Sequence, residues 1–316
     1  MHRVKRALRL PQMLQHALFK ALEHDALNLA QSAAYSAMVA LFPALIVTAA
    51  AVALLPDAVP LKAQVGDFFE QVLPASVLPL LTSYFVSSPD SPHTARTLLV
   101  AAIVSLTGAS SVLATLMEGL RRAEDLPNDA WSFGQRRTRA FLLVPLSLVP
   151  LAIATMLVVF GQLITEWMAA YLASSVRPAF YAFALAVRWT VSLAGVTGLT
   201  ASIYHFGTPN QAASLRDLGV LPQAGWLRML PGAIMATATW FVSTLVFGWY
   251  VTRFANYNQV YGSLGAGIAL LFWLYIVFFS VLCGAEFNAQ FHPRVDPATH
   301  ETLCELPSPG APNPVG

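Results

Sequence analysis

Two ionisable residues stand where an apolar surrounding makes them costly: Arg188 in AFALAVRWTVSLAG and Glu286 in CGAEFNAQF. A cation inside an apolar stretch either faces an internal cavity and accepts an anionic group, or snorkels to the headgroups with the span beginning at Trp189. A carboxylate at the carboxyl end of a helix opposes the helix dipole. Glu286 therefore needs a cationic partner, and Arg121, Arg122 and Arg136 are available, as a structural ion pair or as a gate. Pro43 interrupts an apolar stretch, removes one backbone hydrogen bond and is expected to kink it; such kinks either pack or line cavities. These residues point to binding or translocation of an anion rather than to bond chemistry.

Other chemistries lack their residues. No two of His2, His16, His24, His93, His205, His292 and His300 share a metal-ligand spacing such as HExxH, and neither a glycine-rich phosphate loop nor a GxSxG elbow occurs. The sequence predicts no enzyme, no metal and no cofactor. Basic residues beside apolar stretches are what membrane topology and anionic headgroups demand, so no nucleic-acid partner is expected. Cys283 reads as a small packing residue and Cys304 lies in the tail, which argues against a structural disulfide.

The elements that must position these residues are six long apolar stretches, at about 33–55, 97–117, 140–164, 181–204, 231–251 and 264–285. A hydrocarbon core about 30 Å thick needs roughly 20 helical residues to cross it. The first, second, third and sixth stretches carry no Asp, Glu, Lys or Arg. Hydrophobic residues make up 56% of the 316 and charged residues 11%, less than half the charge of an ordinary soluble domain. The net charge of +2 says little, but its distribution says more. With a cytoplasmic amino terminus, thirteen of the Lys and Arg residues fall inside and four outside, with Arg188 within the fourth stretch. That asymmetry predicts six spans with both termini in the cytoplasm.

The expected fold is therefore an all-α, integral-membrane six-helix bundle. Residues 1–32 form a cytoplasmic amphipathic segment, 33–291 the six-span domain and 292–316 a Pro-rich, disordered cytoplasmic tail. In the first segment Leu14, Leu18, Leu22 and Leu29 recur at helical spacing. They predict a helix on the membrane surface or one packed against the bundle. In the loop 56–96, Leu61, Val65, Phe68 and Val72 have the same periodicity and predict one or two short interfacial helices. Small residues in YGSLGAG, with Gly262, Gly265 and Gly267, and in the second stretch, with Ser105, Thr107, Gly108, Ser110 and Ser111, allow close helix packing or line a path.

The segment from Leu230 to Phe291 resembles the carboxyl-terminal signature of the YihY/BrkB family of bacterial inner-membrane proteins, long labelled ribonuclease BN. The landmarks are Pro231, Gly232, Ala233, Trp240 and Tyr250; then Tyr257, Tyr261, Gly262, Ser263, Leu264 and Gly265; then Trp273, Tyr275, Gly284, Ala285, Glu286 and Asn288. Asp25, Ala33, Ala34, Tyr35, Phe42 and Pro43 fit its first-span pattern, and Pro209 and Asn210 another. The resemblance covers roughly residues 20–291. Arg121, in LMEGLRRAED, replaces the Asn of the family's usual Ala-Leu-Asn string, and the loop from Pro209 to Pro231 is longer than usual. The resemblance implies a plasma-membrane bundle of six helices, linked in the family to serum resistance and to export of envelope lipid or lipopolysaccharide. The expectation is a transporter-like protein moving a lipid or amphipathic anion. Arg188 would attract the headgroup, and Glu286 with Arg121 and Arg136 would form a gate beside the Pro43 kink. Membrane lipids are the expected partners, with a homo-oligomer or envelope-assembly proteins if the chain is instead a scaffold.

Overall fold

The computed structural model describes residues 10–53, 92–126, 132–172, 174–208, 226–254 and 263–291. Their regular elements are all helical: α1 (Leu10–Glu23), α2 (Ala26–Ala53), α3 (Pro92–Ala123), α4 (Phe133–Ala170), α5 (Arg177–Gly207), a 3-10 turn (Trp226–Met229), α6 (Leu230–Phe254) and α7 (Ser263–Phe291). Five stretches are long and apolar enough to cross a membrane: Ala26–Thr48, Leu98–Ala123, Arg177–Gly207, Trp226–Arg253 and Gly267–Phe291. The third apolar stretch of the sequence runs within α4, a 38-residue helix that continues through Pro145 and Pro150. The helices expected in the first loop, the tail, Tyr261 and Gly262 lie outside the described residues.

The surface of the bundle is oily. Leu99, Leu142, Val246 and Trp249 are each more than half exposed. Apolar patches on this scale are not tolerated by water and mark a face that meets lipid or protein. The interior is built instead from small residues. Ala21, Ala30 and Ala140 surround Leu113, Met117 and Leu282, and Ala201, Ala233, Ala236 and Ala285 surround Tyr204. Lipid tails are as apolar as leucine, so helices associate in a membrane through close packing rather than hydrophobic exclusion. Alanine goes inside for that reason, and leucine can face the tails. Gly108 shows how close α2 and α3 come: a Cβ there would sit 2.6 Å from Ala40 Cβ.

One boundary differs from the sequence reading. The amino-terminal segment is a helix followed by a tight corner at His24 and Asp25, and α2 begins at Ala26 rather than 33. α1 packs against α7 through Ala17 and Ala21, both nearly inaccessible, while Leu14, Leu18 and Leu22 face outward. The leucine periodicity was real, but it marks the outer face of the helix. Pro43 lies inside α2, and the helix continues through it to Ala53.

Candidate functional site

One end of the bundle gathers the carboxyl ends of α1, α3, α5 and α7 and the amino ends of α2, α4 and α6. Two aspartates in left-handed backbone geometry make two of the corners there. Asp25 has φ 64° and Asp125 φ 51°. At the end of α3, Asp125 N–H donates to Arg122 O (2.9 Å) and Leu126 N–H to Arg121 O (3.0 Å), which is the Schellman closure of a helix. Glycine fills this position at no steric cost, whereas aspartate is strained by about 1 kcal/mol or more. The side chains account for the choice. Asp25 lies 3.5 Å from Arg122, and Asp125 lies 3.4 Å from His24 Nε2. Each corner thus reaches across to the other, and Arg122 Nη1 also donates to the His24 carbonyl (3.3 Å).

Glu118, near the carboxyl end of α3, is the centre of the charge network. Arg121 grips both its oxygens, through Nη2 to Oε1 (2.7 Å) and Nε to Oε2 (3.0 Å). Arg122 Nε donates to Oε1 at 3.1 Å, and Arg136 Nη1 reaches Oε2 from α4 at 3.2 Å. The third Arg121 nitrogen, Nη1, donates to the Leu126 carbonyl, fixing the chain as it leaves α3. Cations suit the carboxyl end of α3 but oppose the dipole at the amino end of α4. There Ser132 and Gln135 form a capping box, each side chain bonded to the other's backbone N–H at 3.3 Å. It delivers Arg136 and Arg137 one after the other at the helix start. Arg137 donates to Ser111 Oγ (3.0 Å) and to the Thr107 carbonyl (3.3 Å), with its guanidinium carbon 5.2 Å from the centre of the Phe141 ring.

Between α2, α3 and α4 these residues line a cleft of about 310 Å³ that is open to the surface. Ser32 and Ser36 form its α2 wall, Ser111 and Glu118 its α3 wall, and Arg136 and Arg137 its α4 wall. Leu29, Ala114 and Phe133 supply the apolar part. A cavity of this size holds a small molecule or headgroup.

Glu286 belongs to the same end but not to the arginines. Its carboxylate, 4% exposed, is hydrogen-bonded to His24 Nδ1 at 2.7 Å. The expectation that Arg121, Arg122 or Arg136 would pair with it is corrected: all three converge on Glu118, which lies beside them on α3 or, for Arg136, across from it. The Glu286 bond ties α1 to α7. Replacing His24 with Ala is therefore expected to leave a buried acceptor unpaired, a loss of about 1–3 kcal/mol. Amide exchange across Leu10–Glu23 should rise at least about fivefold by that measure; unchanged exchange would show that the bond holds nothing. On the outer face of α1, Glu23 lies 3.1 Å from Lys20, and the hydrogen bond raises the ammonium pKa above its ordinary value.

The carboxyl-terminal signature residues assemble one structural joint. The backbone N–H groups of the first turn of a helix lack intrahelical partners. Pro231 has none to satisfy, and Gly232 N–H donates to Asn288 Oδ1 (3.3 Å), so α7 caps α6. The Asn288 amide also approaches Met229 Sδ at 3.3 Å. Gly284 and Gly232 bring the two backbones together: a Cβ on Gly284 would lie 2.6 Å from both Ala236 Cβ and the Gly232 carbonyl. Tyr204 of α5 completes the joint by donating to the Val281 carbonyl. Gly265 is buried, Trp273 Nε1 donates to Thr244 Oγ1 (3.2 Å), and Trp240 is half-buried. Tyr35 is 67% exposed, and Tyr250 is 43% exposed.

Arg188 is not part of the charged end. It lies sixteen residues before Tyr204 on α5, roughly 24 Å along the helix at 1.5 Å per residue. It is half-buried, and its stem packs on α4, 3.3 Å from where a Gly161 Cβ would be. The structure therefore separates the two residues the sequence singled out. It brings together Arg121 and Arg136 from that set, and adds His24, Glu118 and Arg137. One local signal for Glu118 is present in the sequence: it precedes Arg121 and Arg122 by three and four residues, the spacing of helical ion pairs. His24 pairs with a residue 262 positions away, and no local pattern announces it.

Relatives match this chain along most of its length. A ribonuclease-like protein of Bacillus subtilis, YfkH, is 28% identical over 271 residues, covering 86% of this chain and 92% of its own length. UPF0761 membrane proteins of Ralstonia nicotianae and Nitrosospira multiformis are 27% and 21% identical over 89% and 91% of this chain. The alignments span only 59% and 62% of those longer relatives. No solved structure matches. The family described as virulence factor BrkB matches residues 17–304. That match spans most of the chain and places it in the BrkB family, and the five long apolar helices make it a membrane protein.

Proposed function

We propose that this protein is a six-span, transporter-like protein of the bacterial inner membrane that moves a lipid or amphipathic anion between leaflets. In this reading α4 supplies the third span through residues 140–164, and the charged end faces the cytoplasm with both chain termini. The arginine excess at that end supports this orientation. One observation carries the transport reading: an open 310 Å³ cleft with hydroxyl, guanidinium and apolar walls cuts into a bundle whose outer surface is apolar. A polar cavity in such a bundle is costly, and ionisable residues inside membranes mark substrate paths by default. The reading assigns no catalysis, no cofactor and no nucleic-acid partner. The ribonuclease-like name of the Bacillus subtilis relative would call for a phosphodiester-cleaving site. Here the arginines converge on one carboxylate and on hydroxyls, an arrangement suited to holding an anion.

A second reading, a scaffold for envelope-assembly proteins or for further copies of the chain, draws on the joint around Gly232 and Gly284, where α6 and α7 are packed shut. The two separate in proteoliposomes carrying fluorescent phosphatidylglycerol and an impermeant quencher. Transport predicts that the quenched share rises beyond the outer leaflet in the presence of protein. An unchanged share would reject lipid translocation and leave the scaffold. Arg188→Ala and Glu286→Gln test the roles first read from the sequence: movement equal to wild type would remove those roles and leave the class standing.

A further inference from the structure

We propose that Arg136 and Arg137, facing Ser32 and Ser36 across the cavity, form a binding site for a phosphate group carried by an amphiphile. The proposal rests on reading that cavity as part of the substrate path, and it names the chemistry the cavity would recognise. Charge is the first feature that points to this chemistry. Arg121, Arg122 and Arg136 are hydrogen-bonded or close to two carboxylates, Glu118 and Asp25, and Arg137 lines the same cleft, with its described contacts going to Ser111, Thr107 and Phe141. Glu118 is gripped by Arg121 and approached by Arg122, while Asp25 lies near Arg122. The α4 wall is thus left with more positive charge than its carboxylate neighbour can offset. It also stands at a helix amino end, where the dipole adds positive potential instead of relieving it. Four cations around two anions, beside an apolar bundle, are stabilised by a third anion.

Donor supply leads to the same chemistry. A guanidinium has five N–H donors in a planar fork. The described contacts use one of Arg136 and two of Arg137. The free donors and the α2 hydroxyls line the same space. Paired forks with hydroxyls recognise a tetrahedral oxyanion, because Arg binds phosphate through two parallel hydrogen bonds. Ser111 is differently employed: it accepts from Arg137 and donates to the Thr107 carbonyl (2.9 Å), so it orients the arginine. Phe133, 77% exposed, and Leu29 give the cavity an apolar side beside the phosphate position. That side suits an acyl chain and makes an amphiphile a better fit than a free ion.

The test uses the full chain in detergent micelles, with native mass spectrometry and three probes: inorganic phosphate, short-chain phosphatidylglycerol and short-chain diacylglycerol. Phosphatidylglycerol is expected to bind, and diacylglycerol is not. Arg136→Gln with Arg137→Gln should weaken phosphatidylglycerol binding at least about tenfold, and the double Lys variant, which keeps charge but loses the fork, severalfold. Arg139→Gln, on the same helix but outside the cavity lining, should leave it unchanged. A wild-type measurement guards against misfolded variants: phosphatidylglycerol should protect Arg136 and Arg137, but not Arg139, from phenylglyoxal. Equal losses at Arg139, equal binding of diacylglycerol, or no protection would overturn the site. Tight binding of inorganic phosphate alone would overturn the amphiphile. Binding without leaflet exchange would keep the site and reject transport, whereas exchange that ignores both arginines would keep transport and reject the site.

Discussion

A single methyl group at Gly284 is expected to destabilise the bundle by about 1–3 kcal/mol. The added Cβ would lie 2.6 Å from Ala236 Cβ, 2.6 Å from the Gly232 carbonyl and 2.7 Å from the Tyr204 hydroxyl. Two of these three atoms belong to one helix that cannot shift alone. Ala236 and Gly232 share α6, whose amino end is capped from α7 by Asn288, so moving α6 away breaks that cap. The third is the hydroxyl that donates to the Val281 carbonyl one turn earlier on α7. Overpacking of this kind costs about 1–3 kcal/mol, and a lost hydrogen bond adds about 1 kcal/mol. Better helix propensity returns about 1 kcal/mol. Gly248→Ala is the matched control, because a Cβ there meets nothing within 4 Å. It should be neutral or stabilising by up to about 1 kcal/mol. Reversible unfolding in mixed micelles measures both; equal midpoints for the two variants would show that α6 and α7 do not meet through glycine.

Glu118→Ala is expected to have a comparable effect for an electrostatic reason. It removes the common acceptor of Arg121, Arg122 and Arg136 and leaves three guanidinium groups crowded at the meeting of α3 and α4. Breaking a fully buried ion pair costs about 3–5 kcal/mol. Glu118 keeps 19% of its side-chain surface exposed, so about 2–3 kcal/mol is the expected loss, screened in part by salt. The signature is that added salt narrows the gap to wild type, which it should not do for Gly284→Ala. A Glu118→Ala loss independent of ionic strength would show that the residue acts by packing and not as the centre of the charges.

The two results divide what was legible in the sequence from what was not. Apolar helices were legible, because oil imposes length and composition on any chain that crosses it. The α6–α7 joint was legible as a set of residues, Pro231, Gly232, Gly284 and Asn288, although cap and close approach appear only in three dimensions. The charged end was legible as an excess of arginines, but its pairings were not. Glu286 attracted attention as a carboxylate opposing a dipole, and arginines were the nearest cations by count. Helix geometry gave those arginines a closer carboxylate at Glu118, and the corner at His24 brought a histidine to Glu286 instead. The α1 leucines misled for a related reason. Hydropathy ranks Leu above Ala, whereas packing against α7 selects the residue that lets backbones approach, so Ala17 and Ala21 turn inward. Arg188 stood out because it is alone in its stretch; the site formed where arginines are many.

The central claim is that a water-filled polar cavity opens at the charged end, between helices whose outer faces meet lipid. Thiol labelling tests it most directly. In a chain with Cys283→Ala and Cys304→Ser, single cysteines are placed by Ser36→Cys, on the cavity wall, and by Tyr35→Cys, one residue away on the outer face of α2. An impermeant, charged thiol reagent added from the charged side of membrane vesicles should modify the Ser36 position rapidly and the Tyr35 position at least about tenfold more slowly, because only a hydrated thiol ionises and reacts. Equal silence at both positions would mean the bundle is packed shut, and faster labelling at Tyr35 would place water where the account requires lipid.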